Sequence, residues 1–287
     1  MTILVTGATG NVGGHLVRVL TARGVPVRAL VRRPARSGEI TGDFADRASL
    51  DRALAGADQL FLACGNVPGQ VEYECAAIDA AVAAGVRRIV KLSGPDASPG
   101  SPLLFERWHG AIEQHLATKN MATAVLRPST YLTNLLAYAG SIARTGMLFA
   151  PAGTAAISFV DPRDVAEAAA ELLTGDLTGI YTLTGPEAVT YERIAAELSA
   201  ATGRTVSYVP VSDDDARRAM TAEGMPPETA DAIVAIFAAQ RSGRMAGVTD
   251  TIPRLTGRPA RTLAGFARDY AAAFRPIADQ PATTAAG

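Results

Sequence analysis

The sequence predicts an α/β protein built on a doubly wound parallel sheet, with a smaller mixed α/β unit after it. Three observations carry that reading. The first is the opening stretch TILVTGATGNVGG, in which the apolar run Ile3, Leu4, Val5 stops at Gly7 and Val12, Leu16, Val17 and Leu20 then recur at helical spacing. The second is the alternation of short apolar runs with helical stretches as far as Pro128, the pattern of parallel strands joined by crossover helices. The third is the loss of that alternation beyond Pro128.

Taken in order, the first strand runs through a glycine turn into a helix starting near Asn11. Gly7 allows the tight turn, Gly10 lets a backbone approach a pyrophosphate, and Gly13 allows close packing of helix on strand. The amides and positive dipole end of that helix favour phosphate. Gly7, Thr9, Gly10, Asn11, Val12 and Gly13 are thus the candidate phosphate contacts of a Rossmann-like loop; the alternative is an ordinary glycine turn. The spacing is Gly-x-x-Gly-x-x-Gly, not the Gly-x-Gly-x-x-Gly of the dehydrogenase fingerprint.

Strands are expected at residues 25–31, 39–43, 59–63, 88–92 and 123–126, and helices at 49–55, 71–84 and 103–117. Residues 130–144 read as one helix, broken by Gly146, Pro151 and Gly153. Residues 157–160 and a helix over 162–173 are expected to return to the main sheet. A strand at 181–183, a helix at 191–201 and a strand at 206–209 are assigned to the smaller unit. Helices follow at 213–222 and 227–239, and a last one at 261–274 carries Leu263, Phe266, Tyr270 and Phe274 on one stripe. The expected organisation is a nucleotide-binding domain over 1–150, with 157–173 returning to it. A substrate-binding domain over 174–275 and a flexible tail over 276–287 complete it.

Composition sets the bounds. The 27 basic and 28 acidic side chains nearly cancel, so direct nucleic-acid binding through the phosphate term is not expected. Cys64 and Cys75 lack metal-ligand spacing and fit a reducing compartment as inert core thiols, and no metal site is assigned. The chain opens directly in a strand and has no apolar run of membrane-spanning length, so a cytoplasmic protein without a signal peptide or membrane contact is expected. A homodimer is compatible with these bounds.

The second strand ends at Arg32, where NAD-binding sites place an acid on the ribose hydroxyls. A guanidinium there can instead hold a 2′-phosphate by charge-assisted hydrogen bonds, with Arg33 and Arg36 assisting. The reading is therefore NADPH (NADP) over NADH; the alternative is a solvated basic loop. Asp43 and Phe44 suit the adenine pocket, Asp43 accepting from the base or its backbone donating to it. Ala63, Cys64 and Gly65 end the fourth strand near the middle of the cofactor, and Ser93 and Pro128 end the next two.

TGATGNVG, VRALVRRP, GDFAD, WHGAIEQ, LRPSTYLTNLL, DPRDVAEAA and YTLTGPEAVTYERIAAELS, in that order, resemble the NmrA-like family of atypical short-chain dehydrogenase/reductases. The resemblance runs from Thr2 to about Phe274, and the bacterial branch of NADPH-dependent quinone oxidoreductases looks most similar. It implies a reductase acting on a small aromatic or quinone-like molecule. The family also implies an alternative, a regulator that senses NAD(P) without turning it over.

Short-chain reductases carry Tyr-x-x-x-Lys after the fifth strand. In LFERWHGAIEQHL the resemblance sets Phe105 at the tyrosine and His109 at the lysine. Phenylalanine cannot donate a proton. Ketone reduction develops an alkoxide, whose conjugate acid has a pKa of about 15.7 like water, and needs a positioned acid. Hydride addition to a quinone leaves a phenolate-like anion, with a parent pKa of about 10, which needs much less help. Quinones are therefore the expected acceptors, ahead of azo or imine compounds. His109 can bond the nicotinamide ribose or a quinone oxygen, helped by Glu113; alternatively it pairs with Glu113 for structure. Phe105, Trp108 and Asn134 are the candidate substrate contacts, although Trp108 equally suits core packing. In the resembling reductases the loop with Tyr131 runs beside the nicotinamide, so Tyr131 can stack on a flat substrate or donate to it, or else serve as a core aromatic.

Overall fold

A computed structural model describes residues 1–34 and 36–276. Its first stretch contains β1 (Ile3–Val5), α1 (Asn11–Ala22), β2 (Val27–Val31), β3 (Glu39–Thr41), α2 (Arg47–Leu54), β4 (Gln59–Leu62), α3 (Gln70–Ala83), β5 (Arg88–Leu92), α4 (Leu104–Ala117) and β6 (Ala122–Pro128). A 3-10 turn over Leu132–Tyr138 leads to α5 (Ala139–Thr145), β7 (Met147–Ala150), α6 (Pro162–Thr174), β8 (Gly179–Leu183), α7 (Tyr191–Thr202) and β9 (Ser207–Pro210). The chain continues through α8 (Asp213–Ala222), α9 (Pro227–Arg241), α10 (Thr251–Thr256), α11 (Leu263–Asp269) and a 3-10 turn at Ala271–Phe274. The expected tail lies, from residue 277 on, outside the described residues. None of the described helices is long and apolar enough to cross a membrane.

Contacts divide the chain into two units, the first made of Met1–Ser129, Pro162–Leu183 and Thr249–Pro259. It holds a seven-stranded sheet in the order β3-β2-β1-β4-β5-β6-β8, every pairing parallel. Burial on both faces accounts for the continuous apolar sequence of its central strands: every residue of β4 is buried. On one face Leu50 and Leu54 of α2, Ile78 and Ala81 of α3 and Ile112 and Leu116 of α4 join Leu4, Leu60, Leu62 and Ile89 in a single core. On the other, α1 packs against α6, and Arg23 and Glu171 pair at 2.7 Å. The strand order reverses between β1 and β4, so the loops after these two strands flank the crevice where doubly wound sheets bind ligands.

The second unit comprises Thr130–Asp161, Thr184–Val248 and the chain from Ala260. Its β7 and β9 pair in parallel, with Leu148 opposite Tyr208. Tyr191, on α7, anchors an aromatic cluster with Tyr138, Phe159, Tyr208 and Phe237.

Three elements differ from the expectation. The strand returning to the main sheet is β8, which pairs with β6 along Ala124–Pro128, rather than residues 157–160. Those residues form only isolated bridges, Ile157 with Val189 and Val160 with Tyr131, because loop carbonyls take their amides: Ser158 donates to Met245 O and Val160 to Thr130 O. The stretch 130–144 is a 3-10 turn followed by α5 rather than one helix, and its start is tightened by the Asn134 N–H donating to Tyr131 O at 3.1 Å. The final helix likewise ends at Asp269 and continues as a 3-10 turn. By contact, 130–150 group with the second unit and 174–183 with the first.

Candidate functional site

The glycine turn is shaped by backbone meeting backbone. Gly7 has a φ of 60° and faces β4: a Cβ there would lie 3.0 Å from Ala63 O. A Cβ on Gly13 would fall 2.3 Å from Gly7 O, so only glycine lets α1 sit this close to its own loop. Gly10 occupies the N-cap of α1 and provides no side-chain cap; a Cβ there would meet only Gly7 O, at 3.2 Å, within 4 Å. Thr9, Gly10 and Asn11 are exposed, while Val12 and Gly13 are buried. A glycine cradle, a helix end with no side-chain cap and an exposed approach together fit a pyrophosphate.

Thr6 is a residue of the switch point whose part sequence reasoning missed. Buried at the end of β1, its Oγ1 lies 3.1 and 3.0 Å from Phe61 O and Ala63 O, and accepts the Ala63 N–H at 2.8 Å. It pins the ends of β1 and β4 together at the switch point. Cys64, next along, is half-buried, and burial with the nearby Glu74 pushes its thiol up to about 11, so it is no thiolate.

Arg32, Arg33 and Arg36 are exposed beyond β2, and the Arg32 guanidinium has no protein partner among the described residues. Asp43 is partly engaged within its own loop: its backbone N–H donates to Ser49 Oγ at 2.9 Å and its Oδ1 accepts the Ala45 N–H at 2.9 Å. Ser49 opens α2 and captures the amide first. Phe44, half-buried, packs against the core beside α2. Gly65 is exposed, while Ala63, Ser93 and Pro128 are buried where β4, β5 and β6 end.

His109 is buried on α4, and the expected partnership with Glu113 is not formed. Glu113 Oε1 accepts the Ser93 hydroxyl at 2.5 Å, and both its oxygens accept from Arg127 of β6, at 3.1 and 2.5 Å. The guanidinium, a doubly bonded partner, wins the carboxylate. His109 Nδ1 instead lies 3.2 Å from Lys91 Nζ. Lys91, on β5, and Glu74, on α3, are fully buried and pair at 2.8 Å. Glu74 also accepts from Gln70 Nε2 at 3.0 Å. Burial, then the Lys91 charge, drive the His109 pKa well below 6.5, so the ring is neutral at neutral pH. The Lys91–Glu74 pair was missed; a lysine inside the apolar run RIVKL was the signal, because a charge in a buried strand needs a partner.

Phe105 and Trp108, on α4, are both partly buried and meet edge to face, their centroids 5.5 Å apart. In the second unit Asn134 is exposed. Tyr131 is partly covered, burial raises its phenol, and its hydroxyl has no hydrogen-bond partner among the described residues.

A parallel sheet whose switch point carries a glycine loop and a helix end without a side-chain cap belongs to the nucleotide-binding doubly wound class. Within that class, the chain belongs to the NmrA-like family, which matches residues 1–251. It is 40% identical over 282 residues to NAD(P)H azoreductase of Xenophilus azovorans, covering 95% of this chain and 99% of that one. It is 31% identical over 275 residues to quinone oxidoreductase 2 of Escherichia coli, covering 91% of this chain and 96% of that one. The crystal structure of the NADPH-dependent quinone oxidoreductase of Escherichia coli complexed with NADPH superimposes with a TM-score of 0.84 at 31% identity, covering 93% of this chain and 99% of that one.

Proposed function

We propose that the protein is an NADPH-dependent reductase of electron-poor conjugated acceptors, with quinones first. The carrying observation is the phosphate cradle: Gly10 without a side-chain cap, and Gly13 drawn to within a Cβ's reach of Gly7 O. Two names support the reading, the quinone oxidoreductase at 31% identity and the azoreductase at 40%. The second of these favours azo compounds as a further acceptor class.

Bound NADPH would supply the hydride. The first turn of α1 would hold its pyrophosphate and Arg32 its 2′-phosphate. The residues near β5 and α4 fit an acceptor that needs little acid catalysis. Phe105 carries no proton, and no tyrosine of the chain is followed four residues on by a lysine. His109, kept neutral, can donate a hydrogen bond but is a poor proton source at neutral pH. A phenolate-like product anion tolerates that, whereas an alkoxide does not.

The test is steady-state NADPH oxidation with duroquinone, an azo dye and a simple aliphatic ketone, beside NADPH affinity by fluorescence titration. Turnover with the first two and little with the ketone is expected. Tight NADPH binding with no acceptor-dependent oxidation would replace this reading with a dinucleotide sensor.

A further inference from the structure

The buried charges around His109 leave the ring one hydrogen-bonding state. A lysine ammonium has three donors and no acceptor. Lys91 Nζ donates to Leu92 O, lies 3.2 Å from His109 Nδ1 and is ion-paired with Glu74 Oε2 at 2.8 Å. Nδ1 must therefore be an acceptor, and the ring proton lies on Nε2. The Nε2 edge faces the end of β5: a Cβ on Gly94 would lie 2.9 Å from His109 Cδ2 and 3.6 Å from Nε2.

We propose that Lys91 and Glu74 are positioning residues that lock His109 as a neutral Nε2–H donor beside Gly94, presented to an oxygen of the bound dinucleotide or its acceptor. The proposal deepens the reductase reading and, in its ligand half, rests on it. Glu74 is needed because a lone buried ammonium would lose its proton. A neutral amine could then accept from Nδ1–H and free the other tautomer. Of the further charges near the ring, Glu113 on its own helix is occupied by Arg127 and Ser93, and Glu106 accepts the Ser101 hydroxyl at 2.5 Å. Neither competes for Nδ1. The consequence is chemical: the ring offers a fixed dipole and no titrating proton, so the proton that completes reduction comes from solvent.

The experiment reads the imidazoles directly. The chain has three histidines, and long-range nitrogen–proton correlation on the full-length protein resolves each ring, with His109 assigned by His109→Gln. Without ligand, His109 is expected to show the Nε2–H pattern unchanged from about pH 5.5 to 8.5, a window centred near the ordinary histidine range. Titration within that window, or an Nδ1–H pattern, overturns the proposal. The double variant Lys91→Met with Glu74→Leu removes both charges and keeps the volume apolar, an exchange that folded proteins tolerate better than loss of one partner. In it the ring should titrate or exchange tautomers; a ring that stays locked overturns the role of Lys91. NADP⁺ is then added to the wild type. A shift of the Nε2 proton assigns the oxygen to the dinucleotide, and a shift only when duroquinone is added as well assigns it to the acceptor. Saturation by both with no shift overturns the ligand half. No saturation by NADP⁺ overturns the reductase reading itself, and the ligand half with it, while the tautomer is measured regardless. In the double variant the parameter belonging to the assigned oxygen, Kd for NADPH or kcat/KM for duroquinone, should worsen about tenfold, the worth of one hydrogen bond.

Discussion

Arg32 and Asp43 stand beyond neighbouring strand ends yet differ in what they have left to offer. The guanidinium is exposed with no protein partner among the described residues, whereas the Asp43 amide and Oδ1 are committed to Ser49 and Ala45. If Arg32 reads the adenosine end, it does so through a 2′-phosphate. A charge-assisted hydrogen bond is worth about 1.5–3 kcal/mol, so Arg32→Asp should weaken NADPH binding by about 10- to 100-fold and NADH binding far less. Fluorescence titration with both cofactors checks it, and equal losses would mean that Arg32 does not read the 2′-phosphate. Tyr131 poses a different question, since its hydroxyl has no hydrogen-bond partner among the described residues. Tyr131→Phe should leave stability within about 0.5 kcal/mol. If the hydroxyl meets the acceptor, kcat/KM for duroquinone should fall about 5- to 10-fold with the NADPH Kd unchanged. The glycines and Arg32 were legible in the sequence because turn and strand-end chemistry are local. The partners of His109 were not, because Lys91 and Glu74 come from two other elements and helical spacing pointed to Glu113 instead.

At the level of elements, one turn separates folding from binding. Gly13 and Gly10 both belong to the loop motif, but a Cβ on Gly13 would meet the Gly7 carbonyl at 2.3 Å, whereas one on Gly10 meets it at 3.2 Å. Backbone cannot step aside for Gly13→Ala, which should cost on the order of 3 kcal/mol and lower the Tm accordingly. Gly10 has an ordinary φ of −84°, so Gly10→Ala should move the Tm by about 2 °C or less. Its methyl group would stand where the pyrophosphate approaches, and NADPH affinity should drop by at least about tenfold. Thermal melts of the apo proteins beside titrations separate the two effects; matching Tm losses would show that the 3.2 Å contact is also intolerable. Periodicity revealed the βα units up to β6 because each buries one apolar stripe. It misplaced β8, whose sequence GIYTL has the alternation of an edge strand and is largely exposed, and it could not see β7, whose four residues pair with a strand some sixty positions away.

At the scale of the whole molecule, composition and alternation told the fold class, while the points where the chain passes between its two units depended on contacts that no local pattern records. One site nevertheless couples to global stability with a sign that can be worked out. His109 has a folded pKa well below 6.5, through burial and then the Lys91 charge, while the unfolded chain takes up a proton near 6.5. A depressed folded pKa gives stability that is present above the unfolded value and lost as pH falls below it. At pH 5.5, one unit below the 6.5 reference, the unfolded chain takes up the proton that the folded ring resists, so stability is lower than at pH 7.5, where the difference is negligible. Glu74 acts in the opposite direction, because burial raises its carboxyl, but its environment is retained when only the imidazole is changed. In His109→Gln the amide oxygen can still accept from Lys91, so the substitution removes the titration while keeping the hydrogen bond. Urea unfolding followed through Trp108, the only tryptophan and the neighbour of His109 on α4, reports on the same unit. Between pH 7.5 and 5.5 the wild type should lose more stability than His109→Gln, by on the order of 1 kcal/mol at most. Parallel losses would mean that the folded protein accepts the proton on His109, and that the Lys91 ammonium does not hold its Nδ1.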